Sequence, residues 1–310
     1  MKNLPKIVII LGPTASGKTD LSIELAKKFN GEIISADSRQ IYKKMNIGTA
    51  KPEGEWGKVS GHKAYVVQEV PHYLVDIVDP GKSFTLADFK EQAAEHIQEI
   101  ISRGKLPIIV GGTGMYIWSL VENLDIPKVA PNSKLRRSLE KKPLSELVEL
   151  LKNYDSENAE KIDLKNPRRV IRALEVFITS GGSFFEQRTK STPLYDILQV
   201  GLVRPREELY KRIEQRIDGQ MEQGLIQEVE SLMKQKYGCQ LPSMSSLGYK
   251  QVATYLRGEI SLEKAIEDFK RDTRRYAKRQ MTWFKRDKNI IWLAPEEYKK
   301  AEKLIAEFIK

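Results

Sequence analysis

Ile7-Val8-Ile9-Ile10-Leu11-Gly12-Pro13-Thr14-Ala15-Ser16-Gly17-Lys18-Thr19 decides the fold. Its first five residues are apolar and mostly β-branched, without alternation, as in a strand buried on both faces of a parallel sheet. Residues 12–19 then fit G-x-x-x-x-G-K-[ST] without a mismatch, between that strand and a helix-like pattern. Glycines let backbone N–H groups turn inward, and the helix N-terminus adds partial positive charge, so such a loop grips phosphate. The Lys18 amine can reach an outer phosphate, and the Thr19 hydroxyl can ligate Mg²⁺. The motif specifies phosphate and leaves its owner open.

Outward from the loop, residues 19–29 place Leu21, Ile23, Leu25 and Ala26 as an amphipathic helix does. Glu32-Ile33-Ile34-Ser35-Ala36-Asp37 reads as a second strand ending in a carboxylate. Residues 86–103 read as a helix with Leu86, Phe89, Ala93 and Ile97 turned inward, and Leu106-Pro107-Ile108-Ile109-Val110 as a third strand. Strand–helix–strand alternation implies a parallel sheet with right-handed crossovers. Residues 131–178 are helical and charged in pattern, with Leu144, Leu147, Leu150 and Leu151 on one face. Ser180-Gly181-Gly182-Ser183 is a turn or linker, and the apolar stretch 197–203 returns the chain to the sheet. Beyond Pro205 the pattern is mainly helical, apart from a strand at Ile290-Ile291-Trp292-Leu293. The expected fold is α/β: a P-loop NTPase-like parallel sheet flanked by helices, with a mainly helical insertion and a helical C-terminal part. The expected core is 1–124 with 196–310, and the expected insertion 125–195.

A formal charge of +10 over 310 residues favours an anionic partner, the alternative being a solvated, slightly basic enzyme. The single cysteine, Cys239, excludes an internal disulfide framework and a cysteine-rich zinc site. His62, His72 and His96 are scattered, without ligand spacing. No apolar run approaches the ~20 residues that span a bilayer. The start, Met1-Lys2-Asn3-Leu4-Pro5-Lys6, leads into only the short apolar stretch Ile7 to Leu11, which glycine follows at once, so it reads as a strand and not a signal peptide. The expected setting is reducing and cytoplasmic.

The run GPTASGKT followed by SADSRQIYKKMNIGTAKP at 35–52 resembles bacterial tRNA dimethylallyltransferases. So do Val75-Asp76-Ile77, Ala87-Asp88-Phe89, Gly111-Gly112-Thr113-Gly114-Met115-Tyr116, the run NPRRVIRALE at 166–175, Leu247-Gly248-Tyr249 and the run TRRYAKRQ at 273–280. The matches cover nearly the whole chain in order. The P-loop is shared by many families; its combination with SADSRQIY and GGTG is far more specific. The resemblance implies transfer of a dimethylallyl group from its diphosphate to the exocyclic amine of the adenosine 3′ of the anticodon. It implies a protein that acts on the tRNA anticodon stem-loop without a membrane or a second subunit. The segment Ser245-Ser246 departs from the pattern, lacking an arginine some relatives carry.

Under that resemblance, residues 12–19 (Gly12, Pro13, Thr14, Ala15, Ser16, Gly17, Lys18 and Thr19) hold the donor diphosphate with Mg²⁺ on Thr19. Lys18 and Thr113 assist the leaving group, Thr113 having a helix cap as its other role. Asp37, read from position alone, suits a water-mediated Mg²⁺ contact; the resemblance makes it the general base. Ser38, Arg39 and Gln40 contact flanking bases. Arg136 lies near the substrates or only on a helical surface. Arg168, Arg169, Val170, Ile171 and Arg172 meet tRNA, or the arginines coat a helix. Arg271, Arg274, Arg275, Lys278, Arg279, Lys285 and Arg286, interleaved with Tyr276, Trp283 and Phe284, offer phosphate contacts and stacking, or a core-facing aromatic stripe. The rival reading is a small-metabolite kinase, with Arg168, Arg169 and Arg172 clamping ATP.

Overall fold

The computed structural model describes residues 4–59, 61–126, 129, 132–182 and 191–310. Pro131, where the expected helical run opens, lies outside them, as do Ser183 and Met1-Lys2-Asn3. The chain divides into two compact units, Met1–Ile117 with Leu194–Lys310, and Trp118–Pro193.

The first unit opens with β1 (Lys6–Leu11), α1 (Lys18–Lys28) and β2 (Gly31–Ala36). There follow β3 (Glu55–Val59), β4 (His62–Val67), β5 (Val70–Tyr73), α2 (Leu86–Ser102), β6 (Leu106–Gly111) and α3 (Gly114–Val121), the end of which, from Trp118, belongs to the second unit. After the second unit come β7 (Asp196–Leu202), α8 (Arg206–Glu222), α9 (Leu225–Lys234), α10 (Tyr249–Leu256), α11 (Leu262–Phe284), β8 (Ile291–Leu293) and α12 (Tyr298–Ile309), the helical C-terminal part expected from the sequence.

The eight strands form one sheet in the order β3-β4-β5-β2-β6-β1-β7-β8. From β5 to β8 every pairing is parallel. Ile7, Val8, Ile9, Ile10 and Leu11 are wholly buried, as a central strand covered on both faces requires. The segment 55–73, whose sequence carries no pattern strong enough to assign, adds an antiparallel edge. The path from β1 to β2 passes over β6, which therefore lies between them. Register sets Leu11 and Ala36 both opposite Gly111. The three loops that follow, at 12–17, 37–40 and 112–113, thus leave one edge of the sheet side by side, where ligands of open α/β sheets bind.

The second unit is helical: α4 (Ser133–Leu139), α5 (Leu144–Tyr154), α6 (Ser156–Lys161) and α7 (Pro167–Ser180). Its core is Leu139, Leu147, Leu151, Ala159, Val170, Ile171, Ala173 and Leu174. Helix α7 starts as its sequence dictates. Asn166 caps it by accepting from the Arg169 N–H, Pro167 fills the first turn, and Gly181 ends it in the left-handed region. Among the described residues, no helix is long and apolar enough to cross a membrane.

Candidate active site

Gly12 leaves β1 at φ +146°, and a Cβ there would stand 2.6 Å from the Leu202 carbonyl oxygen, so only glycine fits. The loop that follows is held from outside. Arg212 Nε donates to the Ala15 carbonyl (3.1 Å) and Arg204 Nε to the Ser16 carbonyl (3.3 Å). The Thr14 N–H donates to Gln280 Oε1 at 2.9 Å. Lys18 Nζ folds back onto the Pro13 carbonyl at 2.7 Å.

Lys18, Arg212 and Arg216 converge on this loop. Arg216 reaches the Thr14 hydroxyl at 3.5 Å. Loss of water pushes Lys18 down to about 7; the Arg216 charge adds to this, and Asp37 opposes it. Arg216 is lowered too, by desolvation and then by Arg212. Partly desolvated cations crowded on one loop suit the binding of an anion between them. Arg212 and Arg216 were not found from the sequence. Their i, i+4 spacing on α8 puts them on one face, but nothing in the sequence says that the face meets the P-loop some 200 residues away.

Asp37 follows β2. Its Oδ1 accepts the N–H groups of Arg39 (2.8 Å) and Gln40 (3.3 Å), a turn that fixes the carboxylate. Among the described residues, no protein donor engages Oδ2. Thr113 stands beside it: its N–H donates to the Ala36 carbonyl (3.2 Å), and its hydroxyl accepts the Ser38 N–H (3.1 Å). Tyr276 bonds Thr113 and is pushed up to about 12, by burial first and then by the Asp37 charge. It is therefore neutral at physiological pH.

Two cavities meet at Asp37. The smaller, about 150 Å³, is lined by Lys18, Thr19, Gly112, Arg212 and Gln280. The larger, about 390 Å³, has Ile213, Ile217, Leu247 and Phe269 on its walls and Arg39, Ser245 and Arg279 among its more exposed residues. Thr14, Asp37, Thr49, Ala50, Arg216 and Tyr276 line both. The wall at Gly48, Thr49 and Ala50 is built backbone. Glu228 accepts the N–H groups of Asn46, Ile47 and Gly48 and the Tyr249 hydroxyl. Gln40 donates to the Thr49 and Ala50 carbonyls, so its amide serves the wall. Arg39 donates to the Pro242 carbonyl at 2.5 Å.

Thr19 is exposed at the smaller cavity, beside Asp20 and Asp37. Among the described residues, no cluster of three or more His, Cys, Asp or Glu forms a closed metal cage. One hydroxyl with oxygen-bearing neighbours suits Mg²⁺, which keeps waters and takes phosphate oxygens as ligands.

The remaining candidates separate by burial. In the second unit, Arg168 and Arg169 are exposed, Arg169 lying 3.7 Å from Asp163. Arg136 and Arg172 both bind the fully buried Glu175, at 2.7 and 2.6 Å; burial pushes its carboxyl up, and these bonds outweigh that and hold it below its ordinary value. Arg172 also donates to the Val129 carbonyl and the Asn132 N–H donates to Glu175, which fastens Val129 and Asn132 to α7. The expected contact of Val170 and Ile171 with RNA needs correction for their side chains: both are core residues of this unit, facing inward from α7. On α11, Arg271 and Arg274 are paired with acids, and Phe284 is core. Lys278, Arg279, Lys285 and Arg286 stay exposed, Arg286 lying over the Trp283 ring.

A family model described as IPP transferase matches residues 40–287, and one described as isopentenyl transferase matches 5–68. The tRNA dimethylallyltransferase of Acetivibrio thermocellus is 46% identical over 309 residues, covering 97% of this chain and 96% of that protein. That of Bacillus cereus is 45% identical over 307 residues, covering 97% and 93%. The crystal structure of the full-length tRNA isopentenylpyrophosphate transferase of Bacillus halodurans aligns with a TM-score of 0.71 at 37% identity, covering 98% and 96%. A eukaryotic dimethylallyltransferase acting on tRNA aligns at 0.77 and 30%, covering 94% and 74%.

Proposed function

The chain belongs to the tRNA dimethylallyltransferase family, and we propose that its two joined cavities carry that family's reaction from donor to RNA. The donor is dimethylallyl diphosphate and the acceptor the exocyclic amine of the adenosine 3′ of the anticodon. The observation that carries this reading is the position of Asp37, on the wall shared by a cationic cavity and a larger one walled in part by Ile213, Ile217, Leu247 and Phe269. A diphosphate suits the first. A short prenyl tail and a splayed-out base suit the second.

The diphosphate is gripped by loop N–H groups such as those of Ala15 and Gly17, with Lys18 and Arg216. Mg²⁺, held by Thr19 and the diphosphate oxygens, would neutralise charge on the leaving group. The adenine amine attacks C1 of the prenyl group. The N–C bond forms as the C–O bond breaks, and the bonding pair leaves with the diphosphate. Protein cations aimed at that oxygen stabilise the charge it gains. The amine becomes a better nucleophile as Asp37 Oδ2 takes its proton. The turn at Arg39 and Gln40 holds Oδ1, which leaves Oδ2 to face the substrate. The Thr113 hydroxyl accepts the Ser38 N–H and donates to the Ser38 hydroxyl at 3.4 Å, so it steadies the turn beside Asp37.

The helical second unit, with Arg168 and Arg169, and the exposed cations of α11 would hold tRNA phosphates. Arg136 and Arg172 offer RNA only the donors that Glu175 leaves over. The working unit is taken as a monomer, acting with its RNA in the cytoplasm. Incubation with labelled dimethylallyl diphosphate and unmodified tRNA should label the RNA. ATP turnover without RNA labelling would overturn the reading in favour of a kinase.

A second measurement concerns the RNA grip. Each phosphate neutralised adds ~0.7–0.9 to the log–log slope of affinity against salt. Arg168→Gln with Arg169→Gln should flatten that slope by roughly one to two such steps, with donor affinity unchanged. A slope equal to that of the unmodified protein would mean that these arginines only coat α7. Arg172→Gln should behave differently, lowering thermal stability by leaving Glu175 short of a partner.

A further inference from the structure

Gln280 bonds both glycine-rich loops at once. It lies on α11 and is buried to 6% exposure. Its Oε1 accepts the Thr14 N–H of the P-loop at 2.9 Å, and its Nε2 donates to the Gly112 carbonyl at 2.9 Å. The partners fix the orientation of the amide: one is an N–H and the other a carbonyl, so a flip would break both bonds. The fit is tight. A Cβ on Gly112 would stand 2.3 Å from Nε2.

The chain of bonds continues past the clamp. Gly112 precedes Thr113, which holds the Ala36 carbonyl and the Ser38 N–H on either side of Asp37. One series thus runs from Thr14, through Gln280, Gly112 and Thr113, to the two neighbours of Asp37. The P-loop and the turn at Asp37 sit on β1 and β2, which are separated by β6 and share no direct pairing. The amide closes the gap between their ends.

We infer that Gln280 is a positioning residue that sets the separation between the leaving diphosphate and the proton-accepting carboxylate. This rests on the proposed use of the two cavities. In-line displacement needs the amine, C1 and the leaving oxygen in one line, with the base on the amine. A misplacement of about 1 Å can cost ~10²-fold in rate. A clamp between the two half-sites acts on that alignment more than on the affinity of either substrate.

The test is Gln280→Met, which keeps the length of the side chain and removes both bonds. The single-turnover transfer rate with both substrates saturating should fall ~10–100-fold, while donor affinity changes less than about threefold. In an Asp37→Asn background the same change should cost less than about threefold, because a residue that acts through the base has little left to align. A second variant guards against failure to fold. Gln280→Glu as carboxylate keeps an acceptor for Thr14 and loses the donor to Gly112. When protonated it regains that donor. Its rate relative to wild type should therefore rise as pH falls, a signature that general damage to the fold would not give. Full multiplicative loss in the double variant, loss confined to donor affinity, or a pH-independent Gln280→Glu ratio would each overturn the inference. Absence of transfer by the wild-type protein would instead remove the proposed function, and this inference with it.

Discussion

Asp37→Asn should slow transfer by ~10²–10⁴ under single-turnover conditions. Asparagine keeps the shape of the side chain. Its amide oxygen can still accept the Arg39 and Gln40 N–H groups that hold Oδ1, so the turn should survive. What it lacks is a site for the proton of the adenine amine. The lost interaction belongs to the transition state, so affinity for tRNA and for the diphosphate should change little. The other role open to this carboxylate, a water-mediated contact to Mg²⁺, has a different signature. Diphosphate binding would weaken, and excess Mg²⁺ would restore part of the rate. Transfer measured across a Mg²⁺ titration, with tRNA saturating, separates the two. Rescue by Mg²⁺ would remove the base assignment and leave the transferase in place. A wild-type single-turnover rate would remove both roles and send the proton directly to water.

Much of this frame is legible in the sequence because its strands are of the buried parallel kind. Ile7-Val8-Ile9-Ile10-Leu11 and the stretch 106–110 are apolar without interruption, and both prove to be central strands. The segment Glu55-Trp56-Gly57-Lys58-Val59 is not legible in the same way. It is an exposed edge strand with Trp56 39% accessible, so no hydrophobic period marks it. Binding residues divide along similar lines. The P-loop carries its own motif, since backbone N–H groups and glycines impose it locally. Gln280 is neutral and distant, and Glu228 is an ordinary acid on a helix. Their roles come from packing across the chain, which no local pattern encodes. The run Arg168-Arg169-Val170-Ile171-Arg172 shows the limit most directly. Five neighbours in sequence become two exposed cations, two core residues and one partner of Glu175, sorted by the helical period.

Lys18→Ala should lower transfer by ~10²–10³ in kcat, the usual cost of losing one charged donor to a developing anion. RNA binding should survive, since the proposed RNA contacts lie elsewhere. The amine also predicts a pH dependence. In the ligand-free protein it titrates near 7, pushed down by desolvation and Arg216. Below that value it is a cation and attracts the diphosphate; above it, a growing share of the protein holds a neutral amine. An arriving diphosphate favours the charged form and raises the pKa again, so binding takes up a proton above pH 7. Donor affinity should therefore weaken as pH rises from 7, by up to about tenfold per unit, until the pKa of the complex is passed. The donor's own ionisation contributes to the measured curve, and Lys18→Ala supplies that background because it retains the donor and loses the amine. Lys18→Arg stays charged throughout and should bind without the alkaline decline, whatever its rate. Calorimetry of donor binding from pH 6 to 9, in buffers of different ionisation enthalpy, reads affinity and proton uptake together. Proton uptake by the wild type that persists undiminished in Lys18→Ala would place the titrating group elsewhere, and near-normal transfer by that variant would mean the leaving diphosphate does not depend on the P-loop lysine.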